Sequence, residues 1–208
     1  MAPFNQLTIQ ERKIFKRLNT PIKIQDFLDS LKMNFSEEDP CLSPRDVLKL
    51  RTAHCMEGAL LAAALLWFHG HKPLLLDLTT TTDDEDHVVA LFQVEGFWGG
   101  ISKTNHAVLR YREPVYKTVR ELVMSYFHEY FLHSGQKTLR TYSHPFDLTK
   151  LAHLNWITSR EKILDLIGAM AESKHYEILT KQQIKNLRKA DKIEIKAGKI
   201  VEWKQPGK

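Results

Sequence analysis

The run "CMEGALLAAALLWF", residues 55–68, constrains this chain more than any other stretch. Ala and Leu are strong helix formers, so it predicts a helix from about Cys55 to Phe68 that Gly70 stops. Its most apolar part, residues 59–68, is too short to cross a bilayer, so the helix belongs in a protein core. The segments that follow supply a sheet to cover it. "PLLLDLT" predicts a short buried strand and "HVVALFQV" a second. After an "EG" turn, "FWGGIS" returns as a third, making residues 87–102 an antiparallel hairpin. Gly99 and Gly100 predict a bulge or a close backbone approach there.

Helices flank this centre. Residues 9–18 and 24–31 show helical apolar spacing broken by "NTP", and Ser43, Pro44 and Asp46 signal a further helix start. "EPVYKTVRELVMSYFHEYF" predicts one long helix opening near Pro114. Thr158 with Glu161 predicts a helix reaching about Glu172, residues 181–190 a shorter one, and "IEIKAGKIVEW" a small hairpin. The order predicts an α+β fold. It divides into an N-terminal helical extension (1–42), a core (43–150), and basic C-terminal helices with a hairpin (151–208).

With 208 residues and 43% hydrophobic side chains, one main core with appendages is expected. The N-terminus lacks the pattern of a signal peptide, and Cys41 and Cys55 read as two free thiols in a reducing compartment. A cytoplasmic protein without a membrane partner is the expectation. The net charge of +5 is concentrated at one end, where ten Lys or Arg face four acids from Lys174 onward. A basic tail is more often a solvated surface than a nucleic-acid site, so nucleic acid is not the expected partner.

Cys55 stands at the start of the apolar helix, where unpaired N–H groups favour a thiolate and can hold an oxyanion. His87, at the head of the second strand, could take and return the proton. Spacing alone carries little weight, because the chain has ten histidines and free cysteines are commonly small core residues.

"CMEGALLAAALLWFHG" followed by "DHVVALFQVEGFWGGIS" resembles the core of the transglutaminase-like cysteine enzymes, within the papain-like superfamily, in a small member of bacterial type. The matching residues are Cys55, Ala59, Ala63, Gly70, His87, Gly96 and Trp98, and the resemblance covers residues 44–105, extending at most to 133. It implies a Cys-bearing helix packed on an antiparallel sheet, with Cys55 as nucleophile and His87 as base. It implies a thiol-dependent hydrolase or acyltransferase acting on an amide or peptide bond of a peptide or protein substrate. The family's orienting Asp is replaced here by Ser102, which cannot stabilise an imidazolium by charge. Either Ser102 or Asn105 is expected to orient His87. Two alternatives are a binding protein of the same fold without activity and a basic nucleic-acid binder.

Trp98 is expected as a wall of the site or as core. Arg110 and Arg112 could grip an anionic or carboxylate group, although pairing with neighbouring acids is the slightly favoured reading. "DDEDH" lacks the glycine turn and final Glu of a calcium loop, and "HGH" reads as exposed, so neither metal nor cofactor is expected.

Overall fold

The computed structural model describes residues 4–36, 41–159 and 163–204. Its elements begin with helices α1 (Ile9–Arg17) and α2 (Pro21–Asp29), the short strand β1 (Lys32–Met33), α3 (Pro44–Leu50), β2 (Thr52–Ala53) and α4 (Cys55–Phe68). Strands β3 (Leu74–Thr79), β4 (His87–Val94), β5 (Phe97–Ile101) and β6 (Arg112–Tyr116) lead to α5 (Val119–Phe127). Then come β7 (Thr141–Ser143), β8 (Phe146–Asp147), a 3-10 turn at Leu148–Leu154, α6 (Ile163–Ala171), β9 (His175–Glu177), α7 (Lys181–Lys185) and α8 (Lys192–Gly198).

The main sheet runs β6-β5-β4-β3-β7-β9, with β8 also beside β3, and its paired strands are antiparallel. Alternation along β4 divides the core. Val88, Ala90 and Phe92 join the cluster of α4, while Val89 and Leu91 join that of α5 with Leu122, Val123 and Tyr126. The α4 helix is apolar all round and is covered on every side, as such a helix must be. Its other cover comes from the N-terminal helices, whose Phe15, Leu18, Ile24, Phe27 and Leu28 lie in the same core.

An α+β fold with a helix packed on an antiparallel sheet is therefore present. The two glycines of β5 each answer a close approach. A Cβ on Gly99 would stand 2.4 Å from the Phe92 ring, one on Gly100 3.0 Å from the Tyr126 hydroxyl, and the pairing of β5 with β6 shifts register there.

Three expectations need correction. The helix foreseen from Pro114 is strand β6 followed by α5. Pro114 is tolerated because β6 is an edge strand, and the helix starts at Thr118, whose side chain accepts from the Glu121 N–H. The foreseen C-terminal hairpin is helix α8, opened by a reciprocal cap between Asp191 and Glu194. Residues past α8 instead lie against the 105–107 segment, where Ala107 N–H donates to Ile200 C=O and Glu202 N–H to Asn105 C=O. The helix foreseen over 181–190 is helical only at Lys181–Lys185. The cap expected at Glu161 lies outside the described residues. Among the described residues no helix is long and apolar enough to cross a membrane.

Candidate functional site

The site lies where the N-terminal tip of α4 meets the first residue of β4. α3 ends with Arg51 in the left-handed conformation, turning the chain through β2 into His54 and α4. His54 caps the helix, and the Glu57 carboxylate reaches back to the His54 N–H at 2.8 Å. Cys55 thus becomes the first helical residue. β5 pairs with β4 only as far as Ala90 opposite Ile101. Beyond that point the Cys55 sulfur comes within reach of the N–H of Val88, next to His87, and that of Met56, which favour its thiolate.

His87 and Ser102 meet directly. Nε2 of His87 lies 2.7 Å from Ser102 Oγ, and Ser102 Oγ lies 2.5 Å from the Leu109 carbonyl. Counting protons fixes the tautomer. A carbonyl only accepts, so the single Ser102 hydroxyl proton goes to Leu109, and Ser102 must accept from His87. His87 therefore carries its proton on Nε2 and leaves the Nδ1 lone pair free. Burial, reinforced by the nearby His106, lowers the pKa of His87 to about 4, so the ring is neutral at physiological pH.

Cys55 departs from the simple helix-tip expectation. The residue keeps some surface, yet burial pushes its thiol up to about 11 against the two backbone donors, with Glu85 and Glu57 adding in the same direction. A helix N-terminus contributes about 0.3–1 kcal/mol, less than a tenfold change in acidity, which is too little to offset desolvation. The resting pair is a neutral thiol and a neutral imidazole.

The sulfur and the ring are not hydrogen-bonded to each other among the described contacts. Strand alternation sets His87 on the face of Val89 and Leu91, the side of α5, whereas α4 covers the other face. Cys55 stands at the sheet's end, within electrostatic reach of Tyr130 in the α5-side cluster. The hydroxyl of Tyr130 is buried and has no hydrogen-bond partner among the described residues.

The other expected site residues lie elsewhere or are committed. Asn105 uses its side-chain oxygen and nitrogen on the backbone N–H and C=O of Trp203, both at 2.9 Å, and so does not orient His87. Arg110 pairs with Glu202 at 2.8 Å. Arg112 pairs with Glu129 at 2.7 Å, donates to Ser125 and covers the Tyr126 ring. Trp98 sits four residues back along β5 from Ser102, about 13 Å at strand rise, and packs on the α5 side. A shallow groove of about 310 Å³ is lined by Arg17, Leu18, Lys23, Asp26 and Phe27, and neither Cys55 nor His87 borders it.

Sequence reasoning missed one group close by. Ligand-type atoms of Cys41, His54 and Glu57 lie within 4.8 Å of one another. Glu57 is already engaged by the Leu42 and His54 N–H groups and by Asn34 Nδ2, so a cation there would have to break those bonds. Both cysteines are free, and burial together with Glu57 and Cys55 raises the Cys41 thiol far above its usual range. In comparison with known proteins, no family model matches this chain and no curated protein does.

Proposed function

We propose that the chain is a thiol-dependent hydrolase or acyltransferase for amide or peptide bonds, built on a papain/transglutaminase-like core. The observation that carries this reading is the 2.7 Å contact of His87 Nε2 with a serine whose own proton is committed to Leu109. That arrangement leaves a neutral base whose free lone pair is on Nδ1, beside a strand residue whose N–H meets the Cys55 sulfur.

In the proposed reaction Nδ1 removes the thiol proton as sulfur attacks the substrate carbonyl. An S–C bond forms, and the tetrahedral oxyanion is held by an N–H at the α4 tip. Collapse breaks the C–N bond, and His87 returns the proton to the departing amine. Water, or a second amine in an acyl transfer, then attacks the thioester with His87 as base and frees the thiol. Because Ser102 brings no charge to stabilise an imidazolium, the proton transfer belongs to the transition state rather than to a resting ion pair. Sulfur and Nδ1 close into hydrogen-bond reach by side-chain rotation as substrate binds, since such contacts are often loose before binding.

A second reading is a binding protein of the same core without turnover, favoured specifically by the thiol pKa raised to about 11. A panel of peptide anilides and peptide amides, assayed with and without hydroxylamine as acceptor, separates the two. The enzyme reading expects release by wild type, none by Cys55→Ala or His87→Ala, and hydroxamate formation if transfer competes with hydrolysis. Peptide binding without release by wild type would favour the second reading.

A further inference from the structure

We propose that Gln25, on α2, is a positioning residue for His87 and acts through the backbone of Ser102. The inference rests on the reading of Cys55 and His87 as the reacting pair. Ser102 lies one residue past the last β4–β5 pair, Ala90 with Ile101, so the regular ladder no longer holds it. Gln25 takes the ladder's place. Its Oε1 accepts from the Ser102 N–H at 3.0 Å, and its Nε2 donates to the Ser102 carbonyl at 2.8 Å.

The same Nε2 donates to Asp29 Oδ1 at 2.8 Å, one helical turn along α2. These three bonds fix the amide's orientation. A flipped amide would set NH2 against the Ser102 N–H and its oxygen against both a carbonyl and a carboxylate. Gln25 is 7% exposed and Ser102 fully buried, so water cannot substitute for either bond.

Two bonds to one residue's N–H and C=O fix its backbone, and the backbone aims the Cβ–Oγ bond. Ser102 Oγ in turn holds His87 in the Nε2–H tautomer. A catalytic group must be held within about 0.5 Å and 10–20° of its working geometry, and an amide clamp on a buried serine supplies that tolerance. The N-terminal helices thereby gain a role beyond covering α4.

The test reads the ring directly. Nitrogen-15 NMR of the His87 imidazole at pH 7, assigned with His87→Gln, should show a single Nε2–H tautomer in wild type. Gln25→Leu keeps the bulk and removes the clamp, so it should give mixed tautomers and slow Cys55 alkylation by iodoacetamide about tenfold. In a Ser102→Ala background Gln25→Leu should add no further change. Ile24→Val, which loosens the same helix without touching Ser102, should leave the tautomer intact.

Gln25→Glu serves if the leucine variant does not fold. Burial and the adjacent Asp29 raise the new carboxyl's pKa, so at low pH it regains a proton to donate to the Ser102 carbonyl. The wild-type tautomer should be disturbed at pH 7.5 and restored at pH 5.5. A sharp Nε2–H signal unchanged in both Gln25 variants, or an equal disturbance from Ile24→Val, overturns the proposal. Inert Cys55 in wild type would instead strike the proposed function, while the tautomer signal still decides the role of Gln25.

Discussion

Two polar groups, the half-buried Cys55 and the buried Glu57, sit two residues apart at the tip of α4, and they are treated in opposite ways. Glu57, fully buried, receives the N–H groups of Leu42 and His54 and the side-chain amide of Asn34, all within 3.1 Å. Cys55 and His87 are driven toward their neutral forms by burial, and among the described residues only Nε2 of the ring has a hydrogen-bond partner. A saturated carboxylate ties Asn34, Leu42 and His54 to α4. The Cys55 thiol and the His87 imidazole, whose Nδ1 has no hydrogen-bond partner among the described residues, keep unused hydrogen-bonding capacity that the proposed reaction would draw on.

The sharpest way to break this comparison is at Cys55. Cys55→Ala should lower turnover by roughly a thousandfold or more while leaving thermal stability nearly unchanged. Glu57→Ala should do the reverse. It strands two backbone donors and one amide, costs about 3–5 kcal/mol, and lowers the melting temperature by roughly 10 °C in a chain of this length. Urea unfolding of the two variants separates the roles, and a stable Glu57→Ala protein would erase the contrast.

A pH series sharpens the comparison next. In the fold His87 titrates near 4, against 6.5 unperturbed, so between those values the unfolded chain binds more protons and stability rises with pH. The contribution is complete above about 6.5, falls as pH drops, and is gone by about 4. It amounts to about 3 kcal/mol between those limits, and the excess slope should vanish in His87→Gln. Alkylation of Cys55 should climb toward an apparent constant near 11, and a plateau below 8.5 would show a thiolate that this site does not favour. The smallest effect is expected at Arg110→Ala, where a partly exposed pair with Glu202 should cost no more than about 1 kcal/mol.

The legible parts of the fold were those with one dominant signal. α4 follows from its Ala and Leu content, and β4 and β5 from β-branched and aromatic residues around a turn whose Glu95 and Gly96 both adopt positive φ. Misreadings arose where two signals overlapped. Val115 and Val119 are spaced as on a helix, yet Thr118 and Glu121 carry the cap that starts α5 after a strand. The β-branched residues of "IEIKAGKIV" imitate a hairpin, but the Asp191–Glu194 cap opens a helix that buries none of its residues.

At the candidate site, Cys55 and His87 are singled out by their places at a helix start and a strand head, while Ser102 comes to notice only through the family resemblance. Sequence could not show that Asn105 would close on Trp203, because that contact joins residues 98 apart. Nor could it show Gln25, a single polar side chain on an amphipathic helix, reaching 77 residues along the chain to Ser102.

The most direct measurement is intact-mass analysis of the protein after brief exposure to peptide p-nitrophenyl esters at neutral pH. The account predicts an acyl adduct mapped to Cys55 in wild type, lost in Cys55→Ala and strongly reduced in His87→Ala. No adduct at Cys55, or equal labelling without His87, would contradict it.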